Sequence, residues 1–225
     1  MFHLKKVERI LIFLKSFQKS TTKIFIKDLF KSQLMLKEYA VVDIETTGLS
    51  KHFHQITELA AVKVKDNKVI DEFQTLINPK VPIPRFITRL TGIDNELVKD
   101  APPIKKALPH FLNFLEDHTV IAHNATFDHG FLHQNALRHL KQEFNNQKLC
   151  TRKLANRLLP DLQSKKLSVI CDHFNIINNQ EHRAMSDVQV TNQVFQNFLD
   201  IMKKKKITTP EQIFHFEKSK ISYTN

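Results

Sequence analysis

Asp43 and Glu45 stand one residue apart at the end of an apolar run, Tyr39-Ala40-Val41-Val42, with Thr46-Thr47-Gly48 directly behind them. In a β-strand, residues i and i+2 share one face, so the two carboxylates are expected side by side. Like charges held that close repel unless a cation lies between them. Hard oxygen donors of this kind suit Mg²⁺ or Mn²⁺. A lone pair of this kind is also compatible with an ordinary solvated strand end. Two further clusters shift the balance. His123-Asn124-Ala125-Thr126-Phe127-Asp128 follows the short apolar run Thr119-Val120-Ile121-Ala122. His182-Arg183-Ala184-Met185-Ser186-Asp187 heads a long amphipathic segment. Four carboxylates and a histidine thus fall in three clusters, each beside an element able to hold it rigidly.

Such a set suits phosphodiester hydrolysis. That reaction needs an activated water and stabilisation of charge on the attacking and leaving oxygens, which two metal ions about 3.5–4 Å apart provide together. Mg²⁺ keeps several waters and takes few protein ligands, so four carboxylates match such a pair. His182 titrates near neutrality and can accept the proton of the attacking water. The chain has 12 histidines, and His110, His118, His133, His139 and His215 read as surface or capping residues. His123 and Asn124 either position substrate or satisfy backbone groups where a strand turns into a helix. All three glycines, Gly48, Gly92 and Gly130, lie in or beside the segments singled out here.

The three clusters resemble the motifs of the DEDDh family of 3′–5′ exonucleases, within the ribonuclease H-like superfamily. The nearest subgroup comprises the proofreading (epsilon) subunit of bacterial DNA polymerase III and the exonuclease domain of Gram-positive replicative polymerases. Asp43 and Glu45 fall on the first motif, Asp128 on the second, and His182 and Asp187 on the third. The resemblance spans about residues 38–200 and includes Leu90-Thr91-Gly92-Ile93. It implies a mixed sheet flanked by helices and release of nucleoside 5′-monophosphates from single-stranded or frayed 3′ DNA ends. It also implies two Mg²⁺ (or Mn²⁺) ions, with Asp43 bridging them, Glu45 and Asp187 on the nucleophile-side ion, and Asp128 on the other. Thr46, Thr47 and Gly48 would hold the terminal nucleotide, Leu49 would wedge against a base, and Phe127 would line the pocket. From residue type alone, Leu49 and Phe127 are expected in the core. RNA trimming by the same chemistry and a non-catalytic nucleic-acid-binding module are the alternatives; the intact set of five residues speaks against the second.

The elements that must position these residues can be read from periodicity. Residues 37–202 form the expected exonuclease domain, of α/β class. Tyr39–Ile44, Ile56–Val64 and Val69–Ile77 are expected strands, the last two joined as a hairpin through Lys65-Asp66-Asn67-Lys68. A helix over Pro102–Asp117 is expected to bend or break at Pro109. A strand at Thr119–Ala122, a helix from Thr126 to about Gln142, and a short strand at Lys148–Thr151 follow. Helices near Arg152–Leu159, Leu167–Phe174 and Ala184–Met202 complete the set. Residues 1–36 carry Phe2, Leu4, Val7, Ile10, Leu11, Leu14 and Phe17 at helical spacing, which predicts a short helical extension. Residues 203–225 open with four lysines and are expected as a basic tail, with a helix start at Thr209-Pro210-Glu211.

Composition fits this reading. A chain of 225 residues accommodates one substantial core. The formal charge of +11 suits a polyanionic partner. Cys150 and Cys171 lack paired-motif spacing and are expected as reduced thiols. Ile10–Leu14 is too short to span a membrane, so a cytoplasmic protein without membrane association is expected. A replicative DNA polymerase is the expected partner if the resemblance extends to assembly. The two clamp-motif candidates, Gln33-Leu34-Met35-Leu36 and Gln212-Ile213-Phe214-His215-Phe216, both depart from the expected pattern.

Overall fold

The computed structural model describes residues 36–220. The expected helical extension, apart from Leu36, and the Gln33-Leu34-Met35 segment lie outside the described residues. A five-stranded mixed sheet organises the rest, in the order β3-β2-β1-β4-β5. The strands are β1 (Glu38–Thr46), β2 (Ile56–Lys65), β3 (Lys68–Leu76), β4 (Val120–Ala122) and β5 (Lys148–Cys150). Strand β2 runs antiparallel to both β1 and β3, whereas β4 is parallel to β1 and β5 to β4. Asp66 and Asn67 close the β2–β3 hairpin with φ of 48° and 63°, the left-handed pair that matches strand twist and that Asp and Asn tolerate.

The alternation in β1 sets the layers. Tyr39 and Val41 belong to one buried cluster, and Ala40, Val42 and Ile44 to the other. The first cluster is built with α4 (Thr151–Leu158), α5 (Leu167–His173), α6 (Ala184–Lys204) and α7 (Pro210–Lys218). The second is built with α2 (Ile104–Leu115) and α3 (Thr126–Asn135), while α1 (Arg85–Thr91) belongs to a small cluster of its own. Helix α1 ends on Gly92 at φ 72°, whose amide returns to the Thr88 carbonyl. That left-handed closing position is where glycine carries no Cβ penalty.

Three expectations need adjustment. Helix α2 runs through Pro109 unbroken. Proline costs about 3 kcal/mol inside a helix, but burying Leu108, Phe111 and Leu115 returns about 1.5–3 kcal/mol each, so packing prevails. The helix expected from Thr126 to about Gln142 is regular only to Asn135. A π-type turn over Ala136–Leu140 follows and ends at Lys141 with φ 58°. Within the segment read as a basic tail, α7 is seated on the domain. Thr209 and Gln212 form a capping box with Pro210 behind the cap, and Ile213 and Glu217 are buried. Gln212, in one of the two segments considered as clamp-motif candidates, is therefore engaged in capping and Ile213 in the core.

Candidate metal centre and active site

The parallel pairing of β1 and β4 brings two motifs to one edge of the sheet. Both strands end on the same side, β1 at Asp43–Thr46 and β4 just before His123 and Asn124. Asp43 and Glu45 continue the row of Tyr39 and Val41, and so point toward the start of α6. Tyr39 helps hold that helix, with its hydroxyl donating to Asn192 Oδ1 at 3.0 Å and its ring edge-on to Phe195. Asp187 lies in the first turn of α6. One carboxylate oxygen from each of Asp43, Glu45 and Asp187 can be chosen so that all three lie within 4.8 Å of one another.

Asp128 arrives from the second layer. The chain leaves β4, turns left-handed at Asn124 with φ 70°, and enters α3, where Asp128 sits in the first turn and is 2% exposed. Burial pushes its carboxyl up to about 7, opposed by hydrogen bonds from the backbone of Asp128 and Ile44. Burial pushes Glu45 to about 8, reinforced by Asp187, Glu58 and Asp128. Asp43 is raised well above the carboxylate range by burial and then by Asp128, Glu45 and Asp187. Asp187 is raised by burial, while bonds from Asn178 and the His182 backbone pull the other way. Four acids crowded so that each resists ionising form a donor set that a divalent cation would relieve. The residues present therefore fit a metal.

This crowding has a consequence for stability. A carboxyl whose folded pKa lies above its unfolded value favours the fold at low pH. That contribution is lost as pH rises from about 4 through the folded values of about 7 for Asp128 and about 8 for Glu45. His123 runs in the opposite sense, lowered to about 4 by burial, so the raw Tm profile mixes the two. The increment in Tm on adding Mn²⁺ to EDTA-treated protein isolates the carboxylates, and it is expected to be larger at pH 8 than at pH 5. An increment equal at both pH values would contradict the crowding.

The other expected residues divide by environment. His182 is exposed and lines a cleft of about 560 Å³ together with Asp43, Asp187, His123 and Asn124. His123 has both ring nitrogens engaged, with Thr151 Oγ1 at 2.9 Å and the Lys165 carbonyl at 3.0 Å. It ties β4 to the chain before α5, which is the backbone-satisfying role. Thr46 and Thr47 are buried and build the turn. Thr46 Oγ1 donates to the Gly48 carbonyl at 2.7 Å, and Thr47 exchanges bonds with Gln55. A Cβ on Gly48 would lie 2.4 Å from His54 Cδ2, so only glycine lets the His54 ring pack there. Leu49 is 85% exposed, contrary to the expectation from its residue type. Phe127 is half-buried and stacks at a tilt on Phe131.

Sequence reasoning missed several neighbours. Arg152, Lys165 and Lys166 line the same cleft and give it a basic component. Asn178 holds Asp187 Oδ1 at 2.7 Å. Glu58, fully buried on β2 directly opposite Glu45, binds Arg183. Its signal was present, as a carboxylate inside the run Ile56–Val62, which is apolar apart from it and Thr57. No comparable signal marks Asn178.

Comparison with known proteins agrees with this geometry. DNA polymerase III PolC-type of Caldanaerobacter subterraneus subsp. tengcongensis is 40% identical over 176 residues, covering 78% of this chain but only 12% of that protein. Exonuclease X, solved in complex with 5′ overhanging duplex DNA, superposes with a TM-score of 0.60 at 27% identity, over 80% of this chain and 99% of that one. The nuclease domain of 3′hExo, a DEDDh family member bound to rAMP, shares the fold with a TM-score of 0.63 at 16% identity, over 73% and 92% of the two chains. The RNase_T exonuclease model matches residues 40–195, and the chain belongs to that exonuclease family.

Proposed function

We propose that this chain is a divalent-metal-dependent 3′–5′ exodeoxyribonuclease that removes nucleoside 5′-monophosphates from single-stranded or frayed 3′ ends. The observation that carries this reading is the convergence of Asp43, Glu45 and Asp187 within 4.8 Å, beside a cleft lined by His182, in a chain of the exonuclease family. When bound, a pair of Mg²⁺ or Mn²⁺ ions would neutralise charge on the attacking and leaving oxygens. Asp43, Glu45 and Asp187 would hold the ions, with Asp128 contributing to the second. His182 takes the proton of the attacking water at a ring nitrogen and passes it to solvent, to which it is exposed. Leu49 projects from the Thr46–Gly48 turn where it can separate the terminal base from the next. Arg152, Lys165 and Lys166 neutralise phosphates along the strand.

A proofreading role beside a replicative polymerase is part of this proposal and is supported by the PolC-type relatives, of which this chain spans 12% of the length. Within this proposal the chain supplies the hydrolytic site, and a polymerase supplies the primer end. Among the described residues no helix is long and apolar enough to cross a membrane.

The test uses matched oligonucleotides. A 3′-labelled DNA strand should release labelled mononucleotide at once, and a 5′-labelled strand should shorten stepwise. Unpaired 3′ ends should be cut faster than paired ones, because unpairing costs a few kcal/mol. Circular single strands should resist. Cutting of the circle would sink the exonuclease reading. Faster cutting of the matched RNA would move the substrate class to RNA.

A further inference from the structure

We propose that Glu58 and Arg183 form a positioning latch that holds His182 in its working orientation, an inference resting on the role proposed above for His182. His182 has φ 62°, in the left-handed region that residues with a side chain rarely adopt unless their surroundings hold them there. The chain is tied down on both sides of its Cα. Its own amide donates to Asp187 Oδ2 at 3.1 Å, and Asn178 Nδ2 fixes the other oxygen of that carboxylate at 2.7 Å. On the following side, two successive residues are anchored on one carboxylate. Arg183 Nε and Nη2 donate to Glu58 Oε2 and Oε1 at 3.3 and 3.1 Å, and the Ala184 amide donates to Oε2 at 3.1 Å.

The anchor itself cannot shift easily. Glu58 is 0% exposed, sits on a strand paired on both sides, and accepts a fourth hydrogen bond from Gln74 Nε2 at 2.8 Å. A guanidinium–carboxylate fork fixes direction as well as distance. As a source of stability a buried ion pair gives little over apolar packing, because desolvation consumes much of its Coulombic gain. Orientation is what this pair adds, and the residue it orients is the strained one directly before Arg183. Without the latch, residues 182–184 are free to relax out of the left-handed conformation, which swings the imidazole away from the cleft. Arg183 thus acts through His182 and is a positioning residue.

A double-mutant cycle on the full chain tests this, using Arg183→Ala, His182→Ala and the combined variant on a 5′-labelled single-stranded DNA. Arg183→Ala is expected to lower kcat about 10–100-fold, the range typical of a residue that orients an active-site group, with KM within about twofold. Arg183→Lys should recover only part, because lysine lacks the fork. In the His182→Ala background, Arg183→Ala should cost less than about threefold. Mn²⁺ affinity, followed by electron paramagnetic resonance, should stay within about threefold of the parent. A loss of similar size in both backgrounds overturns the latch. So does a tenfold or larger drop in Mn²⁺ affinity, since the pair would then act on the carboxylates. If Arg183→Ala leaves Glu58 uncompensated and fails to fold, Glu58→Gln combined with Arg183→Gln removes both charges and goes through the same cycle. A His182→Ala protein with full rate overturns the base assignment and the latch together, whereas the cycle can overturn the latch alone.

Discussion

Asp43→Ala is expected to fold and to lose exonuclease turnover to the limit of detection. The residue lies beside Glu45 and Asp187 and, by the resemblance, would bridge the two ions. Its removal deprives both attacking and leaving oxygens of charge stabilisation worth several kcal/mol, and about 4 kcal/mol already corresponds to about 10³-fold in rate. The fold should tolerate the change. Burial and four neighbouring acids, Asp128, Glu45, Asp187 and Glu58, oppose ionisation of Asp43, so its loss relieves repulsion and should leave metal-free Tm equal or higher. The same variant should lose most of the Tm increment that Mn²⁺ gives the parent. Asp43→Asn, which keeps the shape, separates charge from packing and should behave like the alanine variant. A folded Asp43→Ala protein with near-normal turnover would end the assignment.

His182→Ala should give the second largest effect, a loss of about 10²–10⁴ in kcat, the usual contribution of a general base. Its fold should be unaffected, because the side chain is exposed and the contact to Asp187 is made by the backbone amide. Mn²⁺ and single-stranded DNA should still bind. The deficit should shrink as pH rises, because hydroxide then replaces the activated water. Outright loss of Mn²⁺ binding would make His182 a ligand and would require a different proton acceptor.

The two effects also mark what could be read directly from the chain. Asp43 and Glu45 were legible because strand periodicity is strict, and the row Tyr39, Val41, Asp43, Glu45 needs only one correct strand assignment. The β2–β3 hairpin was legible from its Asp-Asn pair for the same local reason. Glu58 was not. A charge within an apolar run looks like an edge or a break, and its meaning depends on Arg183, 125 positions away. Pro109 misled because a local cost was weighed without the burial of Leu108, Phe111 and Leu115 that outweighs it. Leu49 misled in the opposite direction, since residue type predicts burial and the turn built by Thr46, Gly48 and His54 holds it outside. Local geometry was in the sequence, whereas partners distant along the chain needed the fold.

The fork between β1 and β4 bears on how the site fails. β1 pairs with β2 along its whole length but with β4 only at Ala40 and Val41. Beyond that point the ladder between the two strands ends, and Asp128 enters from the first turn of α3 instead. The carboxylates of β1 are therefore framed by the hairpin, while Asp128 is attached through a three-residue strand and one left-handed turn. Opening the β4–α3 side would detach one acid from an otherwise standing set. If that side opens before the rest of the core, hydrolysis should be lost at a lower temperature than the fold, which residual activity and circular dichroism followed on one heating series would show.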